Sequence, residues 1–274
     1  MVYIDNDNQW QLTLAERKRI LVAHIYGVDI DKQATEVAKL SLLLKALEAP
    51  EQKSLFNERL LPELDKNIKC GNALIGTDYF AGQIMPDPTE MARINPFDWK
   101  AEFSEIFQRG GFDAIIGNPP YVILEGDNKA LLYFKNIYKA VYGGKVNLYK
   151  LFIERAVILL RSTGYLGFIC PSNYLSSADS VELRKLLLEN TAIHNIVEYS
   201  EKDKVFKDVT QALTTIVIQK NKNINNMVQI KTTKHGTHKI AQSEFLKNKN
   251  FEFIPLGKII NKMLKSAFTF RDII

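Results

Sequence analysis

The sequence predicts an α/β fold, with a mostly parallel sheet covered by helices on both faces. Three observations carry this reading. Short apolar runs alternate with helical stripes from residue 14 to residue 220. The runs are nearly continuous in apolar residues, as strands buried on both faces require. Several close on a polar side chain or a proline, where a strand would enter a loop. A chain of 274 residues can bury a sizeable core.

Residues 14–23 read as a helix and residues 24–30 (HIYGVDI) as a short buried strand. In Lys32–Leu47 the apolar positions Ala34, Val37, Ala38, Leu40, Leu44 and Leu47 form a helical stripe, and Ala49-Pro50 lies just past its end. Residues 67–75 (NIKCGNALI) read as strand then turn. Residues 77–110 read as loop, broken by Pro86, Pro88 and Pro96. Phe112–Gly117 is expected as a buried strand within the sheet. Residues 148–160 form a strong amphipathic helix, and residues 165–170 a further buried strand closed by Pro171. Residues 180–188 read as a helix with Ser180 as its N-cap. Residues 193–198 and 214–219 complete the strands. Residues 221–250 are polar and irregular, and read as a linker or the opening of a second module.

Hydrophobic content of 46% and charged content of 24% are ordinary for a globular protein. No apolar window is long enough for a membrane span, and the N-terminus MVYIDNDNQW is too polar for a secretory signal. Cys70 and Cys170 make no disulfide framework, and both are expected as reduced core residues of a cytoplasmic protein. The net charge of +5 is uneven. Residues 1–200 hold 22 Lys and Arg against 25 Asp and Glu, and residues 201–274 hold 14 against 6. A basic tail on a slightly acidic body suits a polyanion such as DNA.

In open α/β sheets ligands bind beyond the carboxyl ends of the strands. The residues to examine are therefore Asp29, Asn72, Asn118 and the pair Ser172-Asn173. The most informative of these opens Asn118-Pro119-Pro120-Tyr121, at the end of FDAIIGNPPYV. An exocyclic amino group on a nucleobase is a poor nucleophile, because its lone pair is delocalised into the ring. The Asn118 side-chain oxygen and the Pro119 carbonyl can each accept one of its N–H bonds, which favours a pyramidal nitrogen with its lone pair free. The prolines fix the turn and remove competing N–H groups. Tyr121 can stack on the base. Placing this nitrogen in line with a methyl donor supplies most of the rate.

FDAIIGNPPYV resembles motif IV of the gamma-class N6-adenine DNA methyltransferases. IYGVDIDKQATEVAKLSL resembles their motif II region, and IKCGNALIG their motif III. VNLYKLFIERAVILLRSTGYLGFICPSNYL resembles motifs V and VI, and VFKDVTQALTTIVIQK motif VIII. The ordered set spans roughly residues 20–220 and most resembles the methyltransferase part of type IIG restriction–modification enzymes. The resemblance implies a Rossmann-like fold that uses S-adenosyl-L-methionine, its mostly parallel sheet carrying residues 214–219 as an antiparallel strand. It implies that Asp29 accepts hydrogen bonds from the ribose hydroxyls, as a carboxylate can, and that Ile30 packs on the cofactor's adenine. Asn72 stands where the family usually has an acid binding the adenine amino group. Phe152 falls where the family has an aromatic touching the cofactor. Tyr121 and Phe206 would sandwich an adenine flipped out of double-stranded DNA, and Lys202, Lys204 and Lys207 would hold phosphates. No metal enters this reading.

The family's glycine-rich motif, at the end of its first strand, has no counterpart here: residues 1–25 contain no glycine. The expectation is therefore an internal segment of a larger enzyme with the first strand missing. Residues 1–220 would be a partial methyltransferase catalytic domain, and 221–274 a linker and the start of a target-recognition region. The resemblance leaves open whether a nuclease-bearing segment precedes it. The cofactor pocket would be incomplete and the chain alone inactive. Two other readings stand beside this one: a protein-glutamine methyltransferase, which uses the same Asn-Pro-Pro-Tyr on a side-chain amide, and a catalytically incomplete DNA-binding or assembly module.

Overall fold

The computed structural model describes residues 2–4, 8–47, 62–126, 129–142, 144–206, 210–223, 225–232 and 236–253. The chain divides into two compact units, Met1–Glu102 and Phe103–Ile274. The sequence reading contained no boundary there.

The first unit opens with an antiparallel hairpin, β1 (Val2–Ile4) and β2 (Trp10–Leu12). Helix α1 (Leu14–His24) follows, its first turn capped by the Thr13 hydroxyl, which accepts from the Glu16 N–H. Strand β3 (Gly27–Asp29) runs parallel to β4 (Ile68–Cys70), with α2 (Lys32–Leu47) between them in sequence, a βαβ unit. Asp31 caps α2, its carboxylate accepting from the N–H groups of Gln33 (2.7 Å) and Ala34 (3.3 Å). Buried Asn67 ties the unit together by donating to the carbonyls of Val22 and Ile25.

Three expectations for this unit are corrected. Strand β3 is half-buried to exposed rather than buried, because β4 is its only paired neighbour among the described residues. Cys70 is exposed, not core, and both cysteines are free thiols. Residues 77–110, read as loop, contain α3 (Pro88–Ile94) and α4 (Trp99–Glu102), and the next unit begins with α5 (Ser104–Gln108). Pro88 starts α3 rather than breaking it. It occupies the first turn, where its missing N–H is not needed, behind an Asp87 cap.

The second unit holds a six-stranded mixed sheet in the order β10-β9-β7-β8-β6-β5. Its strands are β5 (Phe112–Gly117), β6 (Leu160–Pro171), β7 (Ala192–Tyr199), β8 (Leu213–Gln219), β9 (Met227–Thr232) and β10 (Gly236–Ala241). The β5–β6 and β7–β9 pairs are parallel. As expected for 214–219, β8 is antiparallel to both neighbours. Helices α6 (Lys129–Ile137), α7 (Leu148–Leu159), α8 (Val181–Asn190) and α9 (Gln242–Phe245) complete the unit. The core joins Tyr149, Ile153 and Val157 of α7 and Leu183 and Leu187 of α8 to Leu166, Phe168, Ile196, Ile216 and Ile218 of the sheet. Gly111 sets the entry to β5: with φ +122° and the Leu159 carbonyl 2.4 Å from where a Cβ would lie, only glycine fits.

Here too the structure departs from the sequence expectations. Among the described residues β5 lies at the sheet's edge, paired only with β6, and Ile116 is 87% exposed. An apolar run alone does not distinguish an edge strand from a central one. Ser180 precedes α8 but does not cap it. Its hydroxyl donates to Asp179, and Ser177 donates to it. Residues 221–250 are no linker, because β9 and β10 extend the same sheet and Val228, Ile230 and Phe245 join its core. Among the described residues no helix is long and apolar enough to cross a membrane.

Candidate active site

In the first unit, β3 and β4 are parallel with Asp29 opposite Cys70, so Asp29, Ile30 and Asn72 gather at one end of this sheet. Since Asp31 serves as the helix cap, Asp29 is spared that task. Its exposed carboxylate accepts the Asp31 N–H at 2.8 Å, and its carbonyl takes the Gly71 N–H at 2.8 Å. Ile30 is 56% exposed, and its carbonyl accepts the Cys70 thiol. Asn72 is half-buried, and its N–H donates to the Asn95 carbonyl at 2.7 Å. Its side-chain oxygen accepts from the N–H groups of Leu74 (3.1 Å) and Ile75 (3.2 Å). That carboxamide shapes the loop after β4, so an incoming donor would compete with two backbone groups for its oxygen.

In the second unit, β5 and β6 are parallel, and β7 runs the same way as β6 because both oppose β8. The carboxyl ends of β5, β6 and β7 therefore share one side of the sheet. Asn118–Tyr121 leaves β5 there, Ser172-Asn173 leaves β6, and the segment bearing Lys202, Lys204 and Phe206 leaves β7. The Ser172 N–H donates to the Ala212 carbonyl at 3.0 Å, joining the second of these loops to the third.

Asn118 and Pro120 are exposed, Pro119 is buried, and Tyr121 packs half-buried against the core. The Tyr121 hydroxyl lies 2.6 Å from Asn118 Oδ1 and 3.3 Å from the Ile169 carbonyl oxygen. Burial, with Cys170 nearby adding to it, pushes this hydroxyl up to about 12. The chain beyond Tyr121 is clasped to the start of α7: the Leu124 N–H donates to Val146 O (2.8 Å) and the Leu148 N–H to Val122 O (2.9 Å). This fixes the motif relative to Phe152, which packs partly buried against the core from the second turn of α7. Glycine before Asn118 allows the close approach of β6: a Cβ on Gly117 would lie 2.9 Å from the Phe168 ring, which would have to shift.

The loop after β7 begins with a capping box. The Ser200 N–H and hydroxyl both donate to Asp203 Oδ2, at 2.7 and 2.9 Å. Lys202 and Lys204 are exposed on it, Lys204 in the left-handed region, and Phe206 is half-buried. Lys207 lies outside the described residues.

The sequence reading missed what holds the loop after β6. The Tyr149 hydroxyl donates to Asn173 Oδ1 at 2.7 Å. Lys150, 1% exposed, donates to the Asp179 carbonyl and carboxylate, both at 2.9 Å. Burial lowers the Lys150 ammonium below its ordinary value, while Asp179 pulls it back. Arg184, wholly buried, donates to the carbonyls of Tyr174 (2.6 Å), Ser177 (2.9 Å) and Asn250 (3.0 Å). Glu154 accepts the N–H groups of Lys139 and Ala140. In the sequence, Lys150 and Glu154 look like the solvated face of an amphipathic helix. The available signal was their spacing on the tyrosine face of α7.

These strand ends fall within a matched family. Residues 23–206 match the model of the Eco57I restriction-modification methylase family, well over half of the chain. The chain belongs to that family. It is 30% identical to the type II restriction enzyme and methyltransferase RM.Eco57I of Escherichia coli over 97% of its own length and 27% of that protein's. It is 32% identical over 48% of its length to the type II methyltransferase M.HincII of Haemophilus influenzae, covering 27% of that protein. The chain thus spans about a quarter of the length of these curated relatives. Among solved structures, a nuclease-deletion mutant of the type ISP restriction-modification enzyme LlaGI superimposes with a TM-score of 0.55 at 15% identity, over 87% of this chain and 20% of that one. The DrdV–DNA complex gives 0.52 at 16%, over 89% and 24%. These likenesses show the fold alone. The Asn-Pro-Pro-Tyr turn and both strand ends of the βαβ unit lie inside the matched region of this Eco57I-family methylase.

Proposed function

We propose that this chain is the adenine-N6 DNA methyltransferase segment of a restriction–modification enzyme, acting on an adenine flipped out of double-stranded DNA. The observation that carries it is Asn118-Pro119-Pro120-Tyr121 at the carboxyl end of a strand, in a chain of the Eco57I methylase family. Asn118 Oδ1 and the Pro119 carbonyl accept the two N–H bonds of the adenine amino group. The Tyr121 ring stacks on the base, with Phe206, beyond the same end of the sheet, on its other face. Lys202 and Lys204, joined by Lys207, hold backbone phosphates.

S-adenosyl-L-methionine, when bound, supplies an electrophilic methyl group. The donors and acceptors at the end of β3 and β4 fit its ribose and adenine: an exposed carboxylate at Asp29, an exposed apolar side chain at Ile30, and the Asn72 loop beside them. Asp29 holds the ribose hydroxyls, Ile30 covers the adenine face, and Phe152 adds an aromatic contact. The residues described here supply no glycine-rich turn for the methionine end, so the isolated chain is expected to bind the cofactor weakly and to transfer little methyl.

The test is transfer of a radiolabelled methyl group to duplex DNA by a form of the enzyme that contains this chain and binds the cofactor, with a glutamine-bearing protein as the competing acceptor, followed by digestion and chromatography. Label in N6-methyladenine supports the proposal. Label in cytosine or in the glutamine side chain would overturn it. If neither acceptor is labelled and salt-dependent DNA binding remains, the chain is an incomplete DNA-binding module.

A further inference from the structure

The stacking role uses only the ring of Tyr121, and the hydroxyl has a separate place in the geometry. It carries one proton and has two oxygens within reach, Asn118 Oδ1 at 2.6 Å and Ile169 O at 3.3 Å. The first distance is that of a good O–H···O bond and the second is long for one. The proton therefore points at Asn118, and only the oxygen end of the carboxamide can receive it. A side-chain amide can otherwise turn over, presenting NH2 where oxygen was. With NH2 forward, Asn118 would face the amino group of an adenine with a donor, and that contact would be repulsive.

We propose that the Tyr121 hydroxyl is a positioning group that locks the Asn118 carboxamide with its oxygen towards the site. This rests on the functional reading above and adds a second task for Tyr121. An amide oxygen has two lone pairs, so one can take the tyrosine proton while the other takes an N–H of the target. The lock is well built. The ring is anchored in the core beside Cys170, a strand neighbour of Ile169, and the backbone beyond it is clasped to α7. Its hydroxyl, like any tyrosine's, holds its proton in the neutral range, and burial, raising it to about 12, extends that well into the alkaline range. The motif's two prolines restrict the intervening backbone, so Asn118 and Tyr121 keep their separation.

Tyr121→Phe isolates this role, since it keeps the ring and removes only the hydroxyl. In the 274-residue chain, the side-chain amide resonances of Asn118, assigned by their loss in Asn118→Asp, are expected to shift in Tyr121→Phe and to show faster C–N rotation. The other amide resonances stay in place, which confirms that the variant is folded. Where methyl transfer is measured at saturating DNA and cofactor, the rate constant is expected to fall about five- to tenfold, the worth of one hydrogen bond, with KM little changed. A 2-aminopurine base at the target position should still flip and stack. Asn118 resonances unchanged in a folded Tyr121→Phe would overturn the proposal, and so would an unchanged rate constant. If KM rises instead and the rate constant holds, the hydroxyl serves binding, which also overturns it. If a form of the enzyme that binds both cofactor and DNA methylates DNA neither as wild type nor as Tyr121→Phe, but the carboxamide still responds, the lock stands and the functional reading fails.

Discussion

Arg184→Met tests how the loop beyond β6 is held. The guanidinium is buried in α8, and its three hydrogen bonds reach Tyr174 and Ser177 of that loop and Asn250 near the end of the described chain. Bonds from a charged donor are worth about 1.5–3 kcal/mol each, so the gross loss is roughly 5–9 kcal/mol. Methionine has similar length and carries no charge, so the substitution also relieves the cost of burying a cation, several kcal/mol. One guanidinium nitrogen, Nη2, has no partner among the described residues and there contributes cost without return. The net expectation is a loss of about 3 kcal/mol. At roughly 2–4 °C per kcal/mol for a chain of this size, Tm falls by about 6–12 °C. Urea denaturation followed by circular dichroism measures the change, with an unaltered m-value showing that the unfolding event is the same. Arg184→Lys, which cannot reach three carbonyls from one point, should fall between the two. A loss under about 1 kcal/mol, or a gain, would show that desolvation cancels the bonds and that apolar packing alone holds the loop.

Three further outcomes are expected. In a form of the enzyme that binds S-adenosylmethionine measurably by calorimetry, Asp29→Ala should weaken that binding about 10- to 100-fold, the loss of charge-assisted bonds to the ribose, and unchanged affinity would place the ribose elsewhere. Gly117→Ala must displace the buried Phe168 ring, costing about 1–3 kcal/mol of stability and disturbing Asn118, the next residue; stability and turnover both unchanged would refute that close approach. Burial pushes the Asp179 carboxyl up, but the Lys150 ammonium and the hydroxyls beside it outweigh burial and hold the group below 3.8. Its stabilising contribution is thus present above pH 3.8 and lost as pH falls through the lower folded value. The acid limb of a stability–pH curve should flatten in Asp179→Asn, and an identical limb would refute the assignment.

The sequence made the strand ends legible because buried strands and their polar exits leave a composition signal. The Asn118 turn and the Asp29 and Asn72 exits could all be read that way, whereas the antiparallel direction of β8 came from the family resemblance. It could not show that β5 lies at an edge, since apolar content reports a strand's faces and not its neighbours. Nor did it reveal β9, where Val228, Ile230 and Thr232 point inward between Met227, Gln229 and Lys231. The period-2 pattern was present, but polar outward residues masked it. The buried Lys150, Glu154 and Arg184 were hidden for a different reason. A charged residue reads as solvated unless its partner is known, and these partners are carbonyls, backbone N–H groups and a carboxylate supplied by distant loops.

The central claim is that Asn118 acts on the target nitrogen and not on the cofactor. The most direct measurement compares Asn118→Ala with the wild type, in a form of the enzyme that transfers methyl groups to DNA, for single-turnover rate and for cofactor affinity. Loss of an oriented contact made in the transition state costs several kcal/mol, so the rate should fall about 100-fold or more while the cofactor Kd stays within about twofold. Near-normal transfer at saturating DNA, or a collapse of cofactor affinity that accounts for the lost rate, would contradict the account.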